Sequence, residues 1–160
     1  MSRSTSILVP HDGSGHAQSA LEYALETFPD GRIVLFHAID PFERADDEDE
    51  DEDEDGDEDE DGLTPLTETW HENKREAASE LFAEALEAVD VDPEDAEIET
   101  ATAVGAPPQT IVGYVEDAEV DQVVMGSRGG SNRGTATDLR LGSTAEVVVR
   151  RVEVPVTVVR

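Results

Sequence analysis

The chain has no cysteine, and of its 160 residues only 11 are Lys or Arg, against 40 Asp and Glu. Without cysteine there is no disulfide framework, no thiolate zinc site and no cysteine nucleophile. The shortage of bases leaves a formal net charge of -29. Such a polyanion is repelled by a phosphate backbone, which excludes sequence-blind nucleic-acid binding. Long apolar runs are lacking too: none approaches the roughly 18 residues of a membrane span, and residues 1–13 hold only a short one before charge intervenes. The expectation is no membrane span, no secretory signal and a cytoplasmic address. What is present is 37% hydrophobic content, enough for a modest core in one domain over 1–160.

The negative charge is uneven. Residues 46–61 form a sixteen-residue block in which Gly56 alone is not acidic, giving 15 carboxylates. Such a run repels itself, and a disordered insertion at about 46–62 is expected. Without it, 25 acids face 11 bases, or -14 over 144 residues. Lysine occurs once, at Lys74, and arginine ten times. An acidic surface with almost no lysine looks like adaptation to a high-salt cytoplasm, where screening removes most self-repulsion, so a halophile source is expected. The block lacks the carboxylate spacing of an EF-hand loop, leaving diffuse cation binding as its expected property and an arm for a basic protein partner as the alternative.

Residues 6–9 are an apolar run ended by Pro10, as in a buried strand. After an Asp12-Gly13 turn, Ala17, Ala20, Leu21, Ala24, Leu25 and Phe28 recur at helical spacing, with Ser14 as N-cap and 29–31 as the stop. Residues 32–38 read as a second buried strand. Beyond the acidic block, Thr64-Pro65 can open a helix whose apolar stripe is Trp70, Ala77, Leu81, Phe82, Ala85, Leu86 and Val89. Residues 97–102 alternate like an edge strand, and 105–108 lead into a helix carrying Ile111, Val112, Tyr114 and Val115. A strand at 120–125, a helix at 144–151 and a strand at 154–159 complete the order βαβαβαβαβ. That order implies a parallel sheet with helices on both faces, joined by right-handed crossovers. In such sheets ligands bind beyond the carboxyl ends of the strands, where strand order reverses.

Between the strand at 120–125 and the helix at 144–151 lies the glycine-rich run 126–134, followed by Gly142-Ser143-Thr144. Glycines let backbone amides approach a ligand, and a helix N-terminus presents free N–H groups to an anion. Over 126–144, Arg128, Arg133 and Arg140 outnumber Asp138, a local +2 in a chain of -29. The layout suits a phosphate cradle, although it is neither a Walker A loop nor a dinucleotide fingerprint. His11, His16, His37 and His71 show no metal-ligand spacing and read as structural. Trp70 reads as packing.

At these residues the chain resembles the universal stress protein family. The carriers are residues 7–10 with Asp12-Gly13-Ser14, residues 37–40, Gly105 and Pro107 with Ile111, residues 125–129, residues 142–146 and residues 154–159. The family's ATP-binding members carry Gly-x2-Gly-x9-Gly-Ser/Thr; here Gly126, Gly129 and Gly142-Ser143 match, with twelve residues between the second and third glycines. The resemblance implies an open five-stranded parallel sheet in order 3-2-1-4-5, of the Rossmann-like, adenine nucleotide alpha hydrolase-like type. It implies ATP or AMP across strands 1 and 4, with Pro10 and Asp12 on the adenosine side and the Ala38 backbone facing adenine. Met125, Gly126 and Gly129 would flank ribose and phosphates, and Gly142, Ser143 and Thr144 would hold the phosphates. Arg128 is added on electrostatic grounds, and Asp12 is the candidate contact for Mg2+. Homodimerisation through residues 154–159 is also implied. The function expected is that of a nucleotide-dependent switch or protective factor in stress response, with no catalytic residue and binding rather than turnover. Slow ATP hydrolysis, and a nucleotide-free dimeric interaction module, stay open as alternatives.

Overall fold

The computed structural model describes residues 5–41, 67–89, 97–127 and 141–160. Its elements are β1 (Ser6–Pro10), α1 (Gly15–Thr27), β2 (Arg32–Ile39), α2 (Glu68–Ala88), β3 (Glu97–Val104), α3 (Pro107–Asp117), β4 (Gln122–Gly126), α4 (Ser143–Arg151) and β5 (Val156–Val159). The expected acidic insertion and the Thr64-Pro65 helix start lie outside the described residues, as do Arg128 and Gly129.

All five strands are parallel, in the order β3-β2-β1-β4-β5. Parallel neighbours bury both faces, and the central strands are correspondingly apolar throughout: Ile7, Leu8, Val9 and residues 33–36 are all at most 1% exposed. Because side chains alternate, Ile7, Val9, Ile33 and Leu35 pack on one face against Ala20, Leu21 and Ala24 of α1 and Ala78, Phe82 and Ala85 of α2. Leu8, Val34, Phe36, Val123 and Met125 meet Ile111 and Val115 of α3 and Ala145 and Val148 of α4 on the other.

The Ser14 cap is observed, its side chain accepting from the Ala17 N–H at 3.2 Å. Helix α2 is capped by Thr67, which accepts from the Trp70 N–H at 3.1 Å. Its buried stripe runs through Trp70, Ala78, Phe82 and Ala85, and Ala77 is exposed. Ala78, Phe82 and Ala85 recur at i, i+4 and i+7 and so share one face, and Ala77 stands one residue, about 100°, off it. Strand β5 begins at Val156, two residues later than expected. Pro155 has no N–H for the ladder, although its carbonyl already accepts from Val123 at 2.9 Å.

Candidate functional site

The chain steps from β1 outward to β2 and β3, then returns to place β4 on the other side of β1. Strand order therefore reverses between β1 and β4, and α1 and α4 start on opposite faces of the sheet there. The β1–α1 loop leaves β1 through Pro10, His11 and Asp12. Asp12 accepts from the Ser14 N–H at 3.0 Å, so it closes the turn into α1 and stays exposed. Gly13 has φ +89°, a left-handed conformation that glycine adopts without strain.

His11 is only 5% exposed and makes bonds on every side. Its N–H donates to the Phe36 carbonyl at 2.7 Å, and its carbonyl accepts from His37 Nδ1 at 2.9 Å. Its ring takes the Gly13 N–H at Nδ1, 3.0 Å away, and meets Gln18 Oε1 through Nε2 at 2.9 Å. Burial pushes the imidazole below its ordinary pKa, against the opposing effects of the Gln18 bond and the Asp12 charge; His37 adds to the lowering. The structural role read for His11 and His37 thus has specific content: they hold the end of β1 in place. Their importance to the loop was not legible in a sequence whose only signal was histidine beside a turn.

Across the sheet reversal, Met125 is buried and Gly126 ends β4. A Cβ on Gly126 would lie 2.7–2.8 Å from the backbone and Cβ of His16, so the glycine lets the first turn of α1 pack directly on β4. Ser127 continues the chain, donating to the Val159 carbonyl at 2.9 Å and accepting from the Gly142 N–H at 2.7 Å. These bonds fix the start of α4 beside the ends of β4 and β5. Gly142 is the N-cap of α4, with φ -67°, and as a glycine it supplies no side-chain cap to the first-turn amides. Ser143 is exposed and Thr144 partly so. Ala38 lies near the end of β2, on the face covered by α3 and α4.

The described members of the expected site thus gather at the carboxyl end of the sheet. Pro10 and Asp12 lie at β1, Ala38 at β2, Met125 and Gly126 at β4, and Gly142, Ser143 and Thr144 at the start of α4. Among the described residues no group of three His, Asp or Glu side chains could hold a metal ion. Gly142 gives the start of α4 no side-chain cap, and a helix N-terminus of this kind is chemically suited to an anionic ligand.

The reversal of strand order, with two helix N-termini flanking it, defines a doubly wound α/β protein of the kind that binds ligands at strand ends. The model of the universal stress protein family matches residues 4–160, and the chain belongs to that family. It is 31% identical over 161 residues to a universal stress protein of Methanocaldococcus jannaschii, covering 96% of this chain and 93% of that protein. Among solved structures, a UspA from Lactobacillus plantarum superposes with TM-score 0.62 at 22% identity over the whole of both chains. A universal stress protein from Archaeoglobus fulgidus solved in complex with dAMP gives 0.59 at 18% identity over both whole chains. A universal stress protein solved in complex with cAMP gives 0.59 at 21% identity, covering 99% of this chain and 98% of that one. The comparisons support the family and the fold and lend no support to the halophile source expected from the charge.

Proposed function

We propose that this protein binds an adenine nucleotide, ATP or AMP, across the β1–β4 boundary and acts as a nucleotide-dependent switch or protective factor in a cytoplasmic stress response. The observation that carries the reading is the meeting of the β1–α1 loop, the end of β4 and the uncapped start of α4 at the one place where strand order reverses. Relatives solved with dAMP and cAMP favour the adenine nucleotide class. In this reading Pro10 and Asp12 line the adenosine side and the Ala38 backbone faces adenine. Met125, Gly126 and Gly129 flank ribose and phosphates, Gly142, Ser143 and Thr144 hold the phosphates, and Arg128 adds positive charge. Mg2+ would be carried mainly by the phosphates with Asp12 nearby. Bound nucleotide, rather than its turnover, is the signal: a phosphoryl-transfer site needs a positioned nucleophile as well as a cradle.

The test is isothermal titration with ATP and with AMP, each with Mg2+, in molar KCl, beside a Gly129→Glu variant. Saturable binding lost in that variant supports the reading. An absence of saturable binding by the folded wild-type protein rejects it in favour of a nucleotide-free interaction module.

Strand β5 pairs with β4 on one side and is the last strand of the sheet. Its valines make an apolar edge, the feature that favours homodimerisation through residues 154–159. Sedimentation of the wild type against Val158→Lys checks this, a smaller species in the variant being expected.

A further inference from the structure

Helix α2 and the β1–α1 loop are joined by a chain of hydrogen bonds that the nucleotide reading does not use. The Ala85 carbonyl of α2 accepts from Gln18 Nε2 at 3.0 Å. Gln18 Oε1 faces His11 Nε2 at 2.9 Å, and His11 Nδ1 faces the Gly13 N–H at 3.0 Å. Both ends of the chain are backbone groups of fixed polarity. A carbonyl can only accept, so the Gln18 amide must point its NH2 at Ala85 and its oxygen at His11. A backbone N–H can only donate, so His11 must keep Nδ1 bare and carry its proton on Nε2. One arrangement satisfies every member. Leu81 of α2 lies close to the loop as well: a Cβ added at Gly13 would stand 3.6 Å from Leu81 Cδ1.

We propose that Gln18 and His11 are positioning residues of the nucleotide site, which set the β1–α1 loop by relaying the position of α2 to the Gly13 amide. The inference rests on the nucleotide reading above and deepens it. Its physical basis is the orientation of the His11 ring. Remove the Gln18 acceptor and the buried Nε2–H has no partner; the ring then gains by turning toward one, and Nδ1 leaves the Gly13 N–H. The turn that presents Asp12 loosens, although neither Gln18 nor His11 need touch a ligand. An asparagine at position 11 keeps the turn and cuts the relay. Its Oδ1 can accept the Gly13 N–H in an ordinary Asx turn, but the side chain stops short of Gln18.

The experiment measures ATP affinity with Mg2+ in molar KCl for the wild type, Gln18→Met, His11→Asn and the double variant, each checked for cooperative melting. Gln18→Met is expected to weaken binding about tenfold, the scale of a misplaced supporting shell. His11→Asn should weaken binding to about the same extent, since it too cuts the link to α2, and adding Gln18→Met to it should change little more. Wild-type affinity in folded Gln18→Met, or a double variant weakened by the product of the two single effects, overturns the inference. A wild-type protein that binds no ATP overturns the nucleotide reading, and this inference with it. The relay is also read without mutation, from ring nitrogen and proton resonances of the wild type. These should show His11 protonated on Nε2, and a proton on Nδ1 instead overturns the proposal even if Gln18→Met fails to fold.

Discussion

A methyl group on Gly126 would collide with the backbone of His16, at 2.7 Å from its carbonyl carbon. Backbone cannot rotate away as a side chain can, so Gly126→Ala must push α1 off β4. The expected cost is about 1–3 kcal/mol, measurable as a fall in the urea midpoint. The glycine was readable in the sequence as a place of close approach, but the partner it admits was not, because His16 lies far away along the chain. Glu119 is the opposite case. It sits just past the C-terminus of α3 with φ 56°, the left-handed conformation usually given to glycine at that position. Glu119→Gly should raise stability by about 0.5–1 kcal/mol, read from chemical denaturation, and an unchanged or lower midpoint would refute the strain. Nothing in the run Asp117-Ala118-Glu119-Val120 signals this, since the conformation is set by how α3 must turn back into β4.

Among the elements, those whose local signals agree were legible: the Ser14 cap, the apolar central strands and the proline-led start of α3 all stand where the sequence puts them. The face of α2 was less so, because alanines at 77 and 78 are equivalent as composition and only packing against β2 selects Ala78. Cross-strand chemistry was not legible at all. The register of β2 on β3 pairs Arg32 with Glu97, and the Arg32 guanidinium reaches Glu99 two residues further on, with bonds of 2.9 and 2.7 Å. The Arg32 bond holds the Glu99 carboxyl below its usual pKa range. A lowered carboxylate pKa means that the pair contributes fully above the ordinary carboxylate range and ceases to contribute as pH falls through the lowered value. Both side chains are partly exposed, at 36% and 47%, so solvent screening limits the contribution. Glu99→Gln should cost a few tenths to about 1 kcal/mol at neutral pH. Denaturation of both proteins at a series of pH values should show that difference closing toward acid; a constant gap would mean that the ion pair is not its source.

At the scale of the molecule the dominant quantity is the charge of -29. Packing so many like charges into one compact body opposes folding in dilute buffer, and mobile ions relieve it over a Debye length of about 10 Å at 0.1 M and 3 Å at 1 M. The melting temperature should therefore rise from low salt to molar KCl. Equal or greater stability in dilute buffer would remove self-repulsion as a significant term. Deleting residues 46–61 takes away 15 of the negative charges and should reduce that salt dependence. This test concerns electrostatics alone and holds whatever the source of the protein.

The sequence by itself determined the alternation of strands and helices, the class of fold and the family. Those follow from periodicity, caps and short motifs, which act between residues close together in the chain. Only the tertiary structure decided which alanine of α2 faces the sheet, why Gly126 must be glycine and how Gln18 and His11 tie the β1–α1 loop to Ala85. Each of these depends on groups that lie far apart in sequence and meet only when the strands have taken their order and the helices have settled on their faces. Hydrogen-bond polarity and steric exclusion act over a few ångströms, so no local pattern could carry them.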